Sequence, residues 1–435
     1  MRTTLDQAAD AVDRWTAAHE QQLIAVRRHL HAHPELAYAE HETTSFVEHR
    51  LREAGLSPRR LPTGTGLVVD VGSGAGPSGG VGGGPSGGVG GGPMVVLRGD
   101  MDALPLADVK DVPYASTVEG VCHACGHDVH TTAVLGAALA LAQVGDLPGT
   151  VRCVFQPAEE TVPGGATHVV AAGVLEGASR AFALHCDPSI PAGTVGLRTG
   201  SITAACDRID VTLTGPGGHT ARPQLTVDLV DALGRLITDL PGLLSRQVDP
   251  RAGMSVVWGA VEAGVAANAI PQRGRLRGTV RVLDRETWQQ AEGLLRGLVG
   301  KIVAVTGAGV DVDYVRGVPP VVNDPRTVAL LRGAAAETVG SDGLRTTAQS
   351  MGGEDFGWFA DVLPIALARL GTHPGGSPLD LHRGSFDVDE SAIGIGVRVL
   401  ARAALHALAA DAAGAAGPSE EGSGRPSGPA AEERR

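Results

Sequence analysis

Apolar positions recur at helical spacing at the start of the chain. Over residues 6–32, Val12, Trp15, Leu23, Val26 and Leu30 predict a helix that Pro34 stops. A second helix is expected at about 42–54, with Phe46, Val47 and Leu51 inward and Gly55 as its C-cap. Residues 67–71 and 94–97 are short, branched apolar runs of strand type. Between them lies a glycine-rich stretch whose unit at 77–84 is repeated identically at 85–92. Such a stretch cannot pack a core, so residues 72–93 are expected to be a flexible insertion joining neighbouring strands. It lacks the Lys-Ser/Thr of a phosphate-binding loop.

The run from Ala133 to Ala142 is apolar all round and predicts a buried helix. Strands at 151–155 and 181–184 then alternate with a helix at 165–175, the pattern of a mostly parallel sheet covered by helices on both faces. From about 205 the character changes. Residues 209–213 alternate like a half-exposed strand. A helix over 226–246, strands near 254–260 and 275–282, a helix over 285–304 and a strand near 309–314 follow. That β-α-β-β-α-β order predicts an inserted, ferredoxin-like α+β unit. Helices at 324–338 and 390–409 return to the first unit. The expected division is therefore a discontinuous α/β unit, 1–200 with 315–410, an inserted unit, 201–314, and a disordered tail, 411–435.

Composition narrows the function. At 435 residues, two domains are expected. A formal charge of −12 argues against nucleic-acid binding as the main task. No uninterrupted apolar run spans a bilayer, and the first residues lack a signal peptide's apolar stretch. Five cysteines form an odd, sparse set, which fits reduced thiols and a cytoplasmic location.

Metal-type ligands concentrate in five stretches, most at the ends of expected strands, where open α/β sheets bind ligands. Residues 123–131 hold His123, Cys125, His127, Asp128 and His130 directly before the buried helix. Asp100 and Asp102 follow one strand, Glu159 and Glu160 a second, and His185 a third; His382 lies near the end of the chain. Thiolate with imidazole suits a transition metal. In a paired-glutamate site, one carboxylate binds metal while its neighbour takes a proton from water that the metal acidifies. Each stretch alone also reads as ordinary surface polarity. Cys122-x-x-Cys125 permits a redox reading, which is set against a helix expected to open only after Asp128 and His130.

Eight stretches together carry a resemblance: Arg28-His-Leu-His-Ala-His-Pro-Glu35, Arg98-Gly-Asp-Met-Asp-Ala-Leu-Pro105, His123-Ala-Cys-Gly-His-Asp128, Gln156-Pro-Ala-Glu-Glu160, Gly217-Gly-His219, Ala267-Asn-Ala-Ile-Pro271, Met351-Gly-Gly-Glu-Asp-Phe356 and Leu381-His382. In this order the chain resembles the dinuclear metallopeptidases of family M20, in the branch of hippurate hydrolases and N-acyl- or indoleacetyl-amino-acid amidohydrolases. The resemblance implies two divalent ions, Mn²⁺ by preference with Zn²⁺, Co²⁺ or Ni²⁺ as alternatives. It implies Cys125 as a bridging ligand, His127 and His185 on one ion, Glu160 and His382 on the other, and Glu159 as the unligated base. Asp102 would orient a ligand. His219 and Asn268 would contact substrate, His219 from the partner subunit of a homodimer, or of a tetramer built from it. Arg281 and Arg316 are both candidates for the substrate carboxylate. The implied activity is hydrolysis of N-acyl amino acids. A dipeptidase, or a non-catalytic binding protein on the same fold, are the other readings.

Overall fold

The computed structural model describes residues 4–72, 92–376 and 379–415. Most of the glycine-rich insertion, and the chain after residue 415, lie outside them.

An eight-stranded sheet runs in the order Arg59–Arg60, Leu67–Gly72, Thr150–Gln156, Met94–Asp100, Ala178–Pro191, Ile365–His373, Val195–Leu197, Leu344–Thr346. The four strands from Thr150–Gln156 to Ile365–His373 are parallel, and antiparallel pairings flank them on either side. Both faces are covered. Val95 and Leu97 pack with the helices His127–Ala142, Pro325–Gly343 and Ser391–Ala415. Val96 points the other way, into a core shared with the Ala166–Ala171 helix and the Asp355–Asp361 turn of 3₁₀ helix. The sheet is thus the scaffold that brings the carboxyl ends of its central strands together.

Several boundaries differ from the expected ones. Leu67–Gly72 and Met94–Asp100 are not neighbours, because Thr150–Gln156 pairs with both and lies between them. The N-terminal helix is broken into Thr4–Ala18 and Glu20–Ala32. At the break the His19 ring contacts the Trp15 carbonyl at 2.7 Å and stacks on the Trp15 indole. The helix expected over 165–175 is cut to Ala166–Ala171, with left-handed Gly173 following it. The last helix runs to Ala415, past the expected start of the tail, where Ser179 Oγ donates to Asp411 at 2.6 Å. That helix is long and apolar enough to cross a membrane, but 78% of its apolar window is buried in this core.

The second sheet is antiparallel throughout, in the order Ser255–Ala263, Arg273–Val282, Ala205–Thr214, Gly309–Val318. Even-numbered positions of Arg273–Val282 are buried, as a one-sided sheet requires. The helices Leu229–Gln247 and Arg285–Ala304 cover that face. Their N-termini are capped by Asp228 and Asp284, whose carboxylates accept first-turn N–H groups. Leu213, Leu236, Val280 and Leu298 belong to a separate core cluster. This is the β-α-β-β-α-β order read from the sequence.

Candidate metal centre

The cluster forms where two central strands end, beside the middle of a third, and where one helix begins. Met94–Asp100 leads into buried Met101 and Asp102, and Thr150–Gln156 leads through Pro157 and Ala158 to Glu159 and Glu160. His185 lies inside Ala178–Pro191 rather than after a strand, because that strand continues in pairing with Ile365–His373. The helix opens at His127, immediately after left-handed Gly126, so Asp128 and His130 are within it. This removes one expected objection to a redox role for Cys122-x-x-Cys125. Burial supplies another: it pushes the Cys122 thiol up to about 11, with Lys110 opposing, the reverse of a reactive thiol.

The candidate donor atoms converge. Cys125, Glu160 and His382 can each place a donor within 4.8 Å of the others, as can His127, Glu159 and Glu160. His185 Nε2 is 3.6 Å from Cys125 Sγ, and His382 Nε2 is 3.3 Å from Glu160 Oε1. The rings are held from behind. His127 Nδ1 donates to the Asp102 carbonyl and His185 Nδ1 to the Cys186 carbonyl, both at 2.8 Å. This leaves each Nε2 free for the cluster. The Asp102 carboxylate accepts the N–H groups of Glu159 and Glu160, at 2.9 Å each. One aspartate therefore sets the positions of a histidine and both glutamates.

These residues fit a divalent metal. His127 Nε2 and Glu160 Oε1 are buried without a hydrogen-bond partner. Burial, then Glu354, Glu160 and Asp355, push the Glu159 carboxyl well above its ordinary range. Crowded carboxylates beside a thiol and three imidazoles favour a bound cation.

His219 and Asn268 come together elsewhere. His219 pairs with Ala269 in a two-stranded ribbon, the Thr220 N–H donates to the Asn268 carbonyl at 3.4 Å, and both residues are exposed. Arg281 donates to the Met351 carbonyl, and Arg316 lies 4.8 Å over the Trp288 ring. Among the described residues, none of the four makes a hydrogen bond or ion pair with the cluster.

Two buried networks support the site without having been assigned roles from sequence. Arg98 donates through Nε to Gln156 (3.0 Å), through Nη1 to Asp100 (2.5 Å) and through Nη2 to Asp355 (2.6 Å). Arg27 donates to Asp128 at 2.7 Å, and His31 Nδ1 meets the same oxygen at 2.7 Å. His130 is absorbed structurally: Nδ1 donates to Asp100 at 2.6 Å and Nε2 accepts the Cys186 N–H at 2.8 Å. The signal was present in the sequence, since Arg98, Gln156 and Asp355 all stand in motif stretches. A search for ligand types passes over arginine and glutamine.

His123 is buried with neither ring nitrogen partnered, and burial lowers its pKa to about 3. Between pH 3 and 6.5 the unfolded chain therefore binds a proton that the native chain refuses. Stability should rise with pH across this window and be lost on acidification, by up to about 1.4 kcal/mol per pH unit from this group. Urea titrations from pH 4 to 7 should show that slope, and His123→Leu should reduce it by up to one proton's worth.

The family model for peptidase family M20/M25/M40 matches residues 96–406. The chain belongs to this family. It is 37% identical over 392 residues to the N-acetyl-L-cysteine deacetylase of Bacillus subtilis (strain 168), covering 90% of this chain and 88% of that protein. It is 45% identical over 399 residues to a putative glutamate–cysteine ligase 2-3 of Rhodococcus jostii (strain RHA1), covering 91% of this chain but 48% of that protein. The chain thus spans about half the length of that relative. Among solved structures it resembles the Bacillus subtilis YXEP protein, described as a dinuclear metal binding peptidase from the M20 family. The TM-score is 0.75 and the identity 32%, covering 90% of this chain and 99% of that one. As an M20 protein, the chain is a metal-dependent amidohydrolase.

Proposed function

We propose that this chain hydrolyses N-acyl amino acids to a carboxylic acid and a free amino acid, with N-acetylcysteine as a principal substrate. The observation that carries the reaction is the placement of Glu159. It lies beside the cluster of His127 and Glu160, and its own N–H is held by Asp102. The substrate class is supported by the deacetylase relative. Deacetylation frees cysteine, the amino acid that a glutamate–cysteine ligase consumes, and the longer relative bears that name.

Two divalent ions, Mn²⁺ by preference, would be held with Cys125 between them, His127 and His185 on one, and Glu160 and His382 on the other. Bound there, they acidify water and polarise a carbonyl oxygen. Glu159 takes the water's proton and passes it to the leaving amine. Cys122, Cys125, Cys153, Cys186 and Cys206 are all free thiols, which fits a cytoplasmic protein. The test is a panel of N-acyl amino acids assayed with Mn²⁺-loaded protein, with product amine as the readout. Amine release from N-acetylcysteine supports the proposal; turnover of dipeptides alone overturns it.

The residues 201–314 would act as a dimerisation unit that carries His219 and Asn268 to the partner's site. The exposed edge strand Ser255–Ala263, with Val257 and Val261 outward, offers a two-fold contact. His219→Ala and Glu159→Gln should each be nearly inactive alone. Mixed dimers carry one doubly defective site and one intact site, so activity should return to about half of wild type per mixed dimer. Verified heterodimers without recovery would place His219 in its own subunit's site.

A further inference from the structure

Among the described residues, three other than glycine hold a left-handed backbone: Ala158, His382 and Tyr38. Ala158 directly precedes Glu159, and His382 belongs to the cluster. Tyr38 has no part in the site as described so far. With a φ of 62°, it occupies the third position of a turn closed by the Ala39 N–H to the Leu36 carbonyl at 2.9 Å. Glycine or asparagine fills that position far more easily. Strain of this kind persists where the surroundings impose it, and it gathers at functional sites.

Here the surroundings are the site itself. Leu36 bridges to Ala103, and the Ala103 N–H donates to the Glu35 carbonyl at 2.8 Å. On the other side of the turn, the Glu40 carboxylate accepts the Ala158 N–H at 2.8 Å. Ala103 follows Asp102 and Ala158 precedes Glu159, so the two segments that shape the general base also clamp the turn. The Tyr38 ring lies edge-on to His168 at 5.7 Å and is 39% exposed. Its phenol is beside the hydroxyl of Thr161, the residue after Glu160. Its nearby carboxylates are Asp355, Glu40 and Asp102. Two of these flank Glu159: the Asp355 N–H donates to Glu159 Oε1 at 3.4 Å, and Asp102 accepts the Glu159 N–H.

The assignment that follows rests on the hydrolase reading above. Glu159 gives its proton to the leaving amine, so the amino-acid half of the substrate lies on the Glu159 side. On that side stands the exposed Tyr38 ring, with exposed Leu36 two residues before it in the same turn. We propose that Tyr38 is a wall of the pocket for the amino-acid side chain, and that its ring sorts substrates by that side chain rather than by the acyl group.

The test separates the two halves of the substrate. One series fixes acetyl and varies the amino acid (alanine, cysteine, leucine, phenylalanine). The other fixes alanine and varies the acyl group (acetyl, benzoyl, indoleacetyl). Tyr38→Gly removes the ring and accepts the backbone angle, and Tyr38→Asn does the same with a second residue that tolerates it. Both should lower the leucine-over-alanine and phenylalanine-over-alanine ratios of kcat/KM by about tenfold or more, the scale of an apolar pocket contact. Acyl ratios should stay within about twofold, and Tyr38→Phe should retain the wild-type ratios. Acyl ratios that move instead, a uniform fall across both series, or a Phe variant as impaired as Gly would each overturn the assignment. Calorimetric binding of free leucine and alanine provides a readout without turnover. If the wild type cleaves no N-acyl amino acid, the hydrolase reading fails. A leucine preference lost in Tyr38→Gly would still support the pocket wall, and equal binding by both proteins would remove it.

Discussion

Glu159→Gln should retain its metal ions and lose turnover by roughly 10²–10⁴-fold, the usual contribution of a positioned base. The substitution keeps the side chain's size and most of its hydrogen bonding. Its backbone N–H stays on Asp102, and the Asp355 N–H still finds the side-chain oxygen. Only the capacity to hold a proton at that point is removed. Glu160→Gln should behave differently. Glu160 Oε1 lies 3.3 Å from His382 Nε2 and 3.9 Å from His127 Nε2, at the meeting point of the two donor groups. An amide there is a poorer ligand than a carboxylate, so metal content should fall first and activity with it. Elemental analysis alongside turnover distinguishes the two. If Glu159 controls metal content and Glu160 does not, the roles within the pair are exchanged.

The two sheets were legible because their apolar patterns differ in kind. The continuous run at 94–97 and the mostly apolar 151–155 belong to strands covered on both faces, and the alternation at 209–213 belongs to a sheet covered on one. The boundaries that moved did so beside side-chain contacts that periodicity does not encode. The first helix breaks where the His19 ring meets the Trp15 carbonyl one turn back, and the last runs on to Asp411, which contacts the distant Ser179. The neighbour relation of Leu67–Gly72 and Met94–Asp100 was misjudged because sequence adjacency favours pairing. A strand from residue 150 intervenes.

The cluster of donor groups was legible because its chemistry is local: a thiol, imidazoles and carboxylates in a few short stretches. Cys125, His127, Glu160, His185 and His382 do converge in space. What holds them in place was less legible. Asp102 was expected to orient a ligand, but Arg98 and Arg27, in the networks behind it, are of no ligand type to mark them. Tyr38 is an ordinary tyrosine by composition, and only its backbone angle sets it apart.

Arg98→Met should destabilise the fold by about 3–5 kcal/mol, the cost of removing one partner from a buried ionic network. Arg98 and Asp355 are fully or almost fully buried, as is Asp100. The guanidinium joins three separate segments, because its fork reaches Gln156, Asp100 and Asp355 at once. Burial opposes the charged form of Asp100, but His127, Arg98 and His130 together hold it well below the usual carboxylate range. At Asp355, burial outweighs the opposing charge of Arg98, and with Glu354 alongside its pKa is pushed up to about 8. Methionine fills much of the volume but leaves these carboxylates facing one another, with Glu354 3.1 Å from the lost nitrogen. Arg98→Lys keeps the charge at a single point and cannot serve three acceptors, so it should fall between wild type and Arg98→Met. The Asp355 N–H reaches Glu159 Oε1, so both variants should also lose turnover beyond what their remaining folded fraction explains. Urea unfolding followed by circular dichroism, with turnover normalised to folded protein, measures both effects. An Arg98→Met variant within about 1 kcal/mol of wild type would show that the carboxylates neutralise themselves by taking up protons, and that the arginine is not what joins the strand ends.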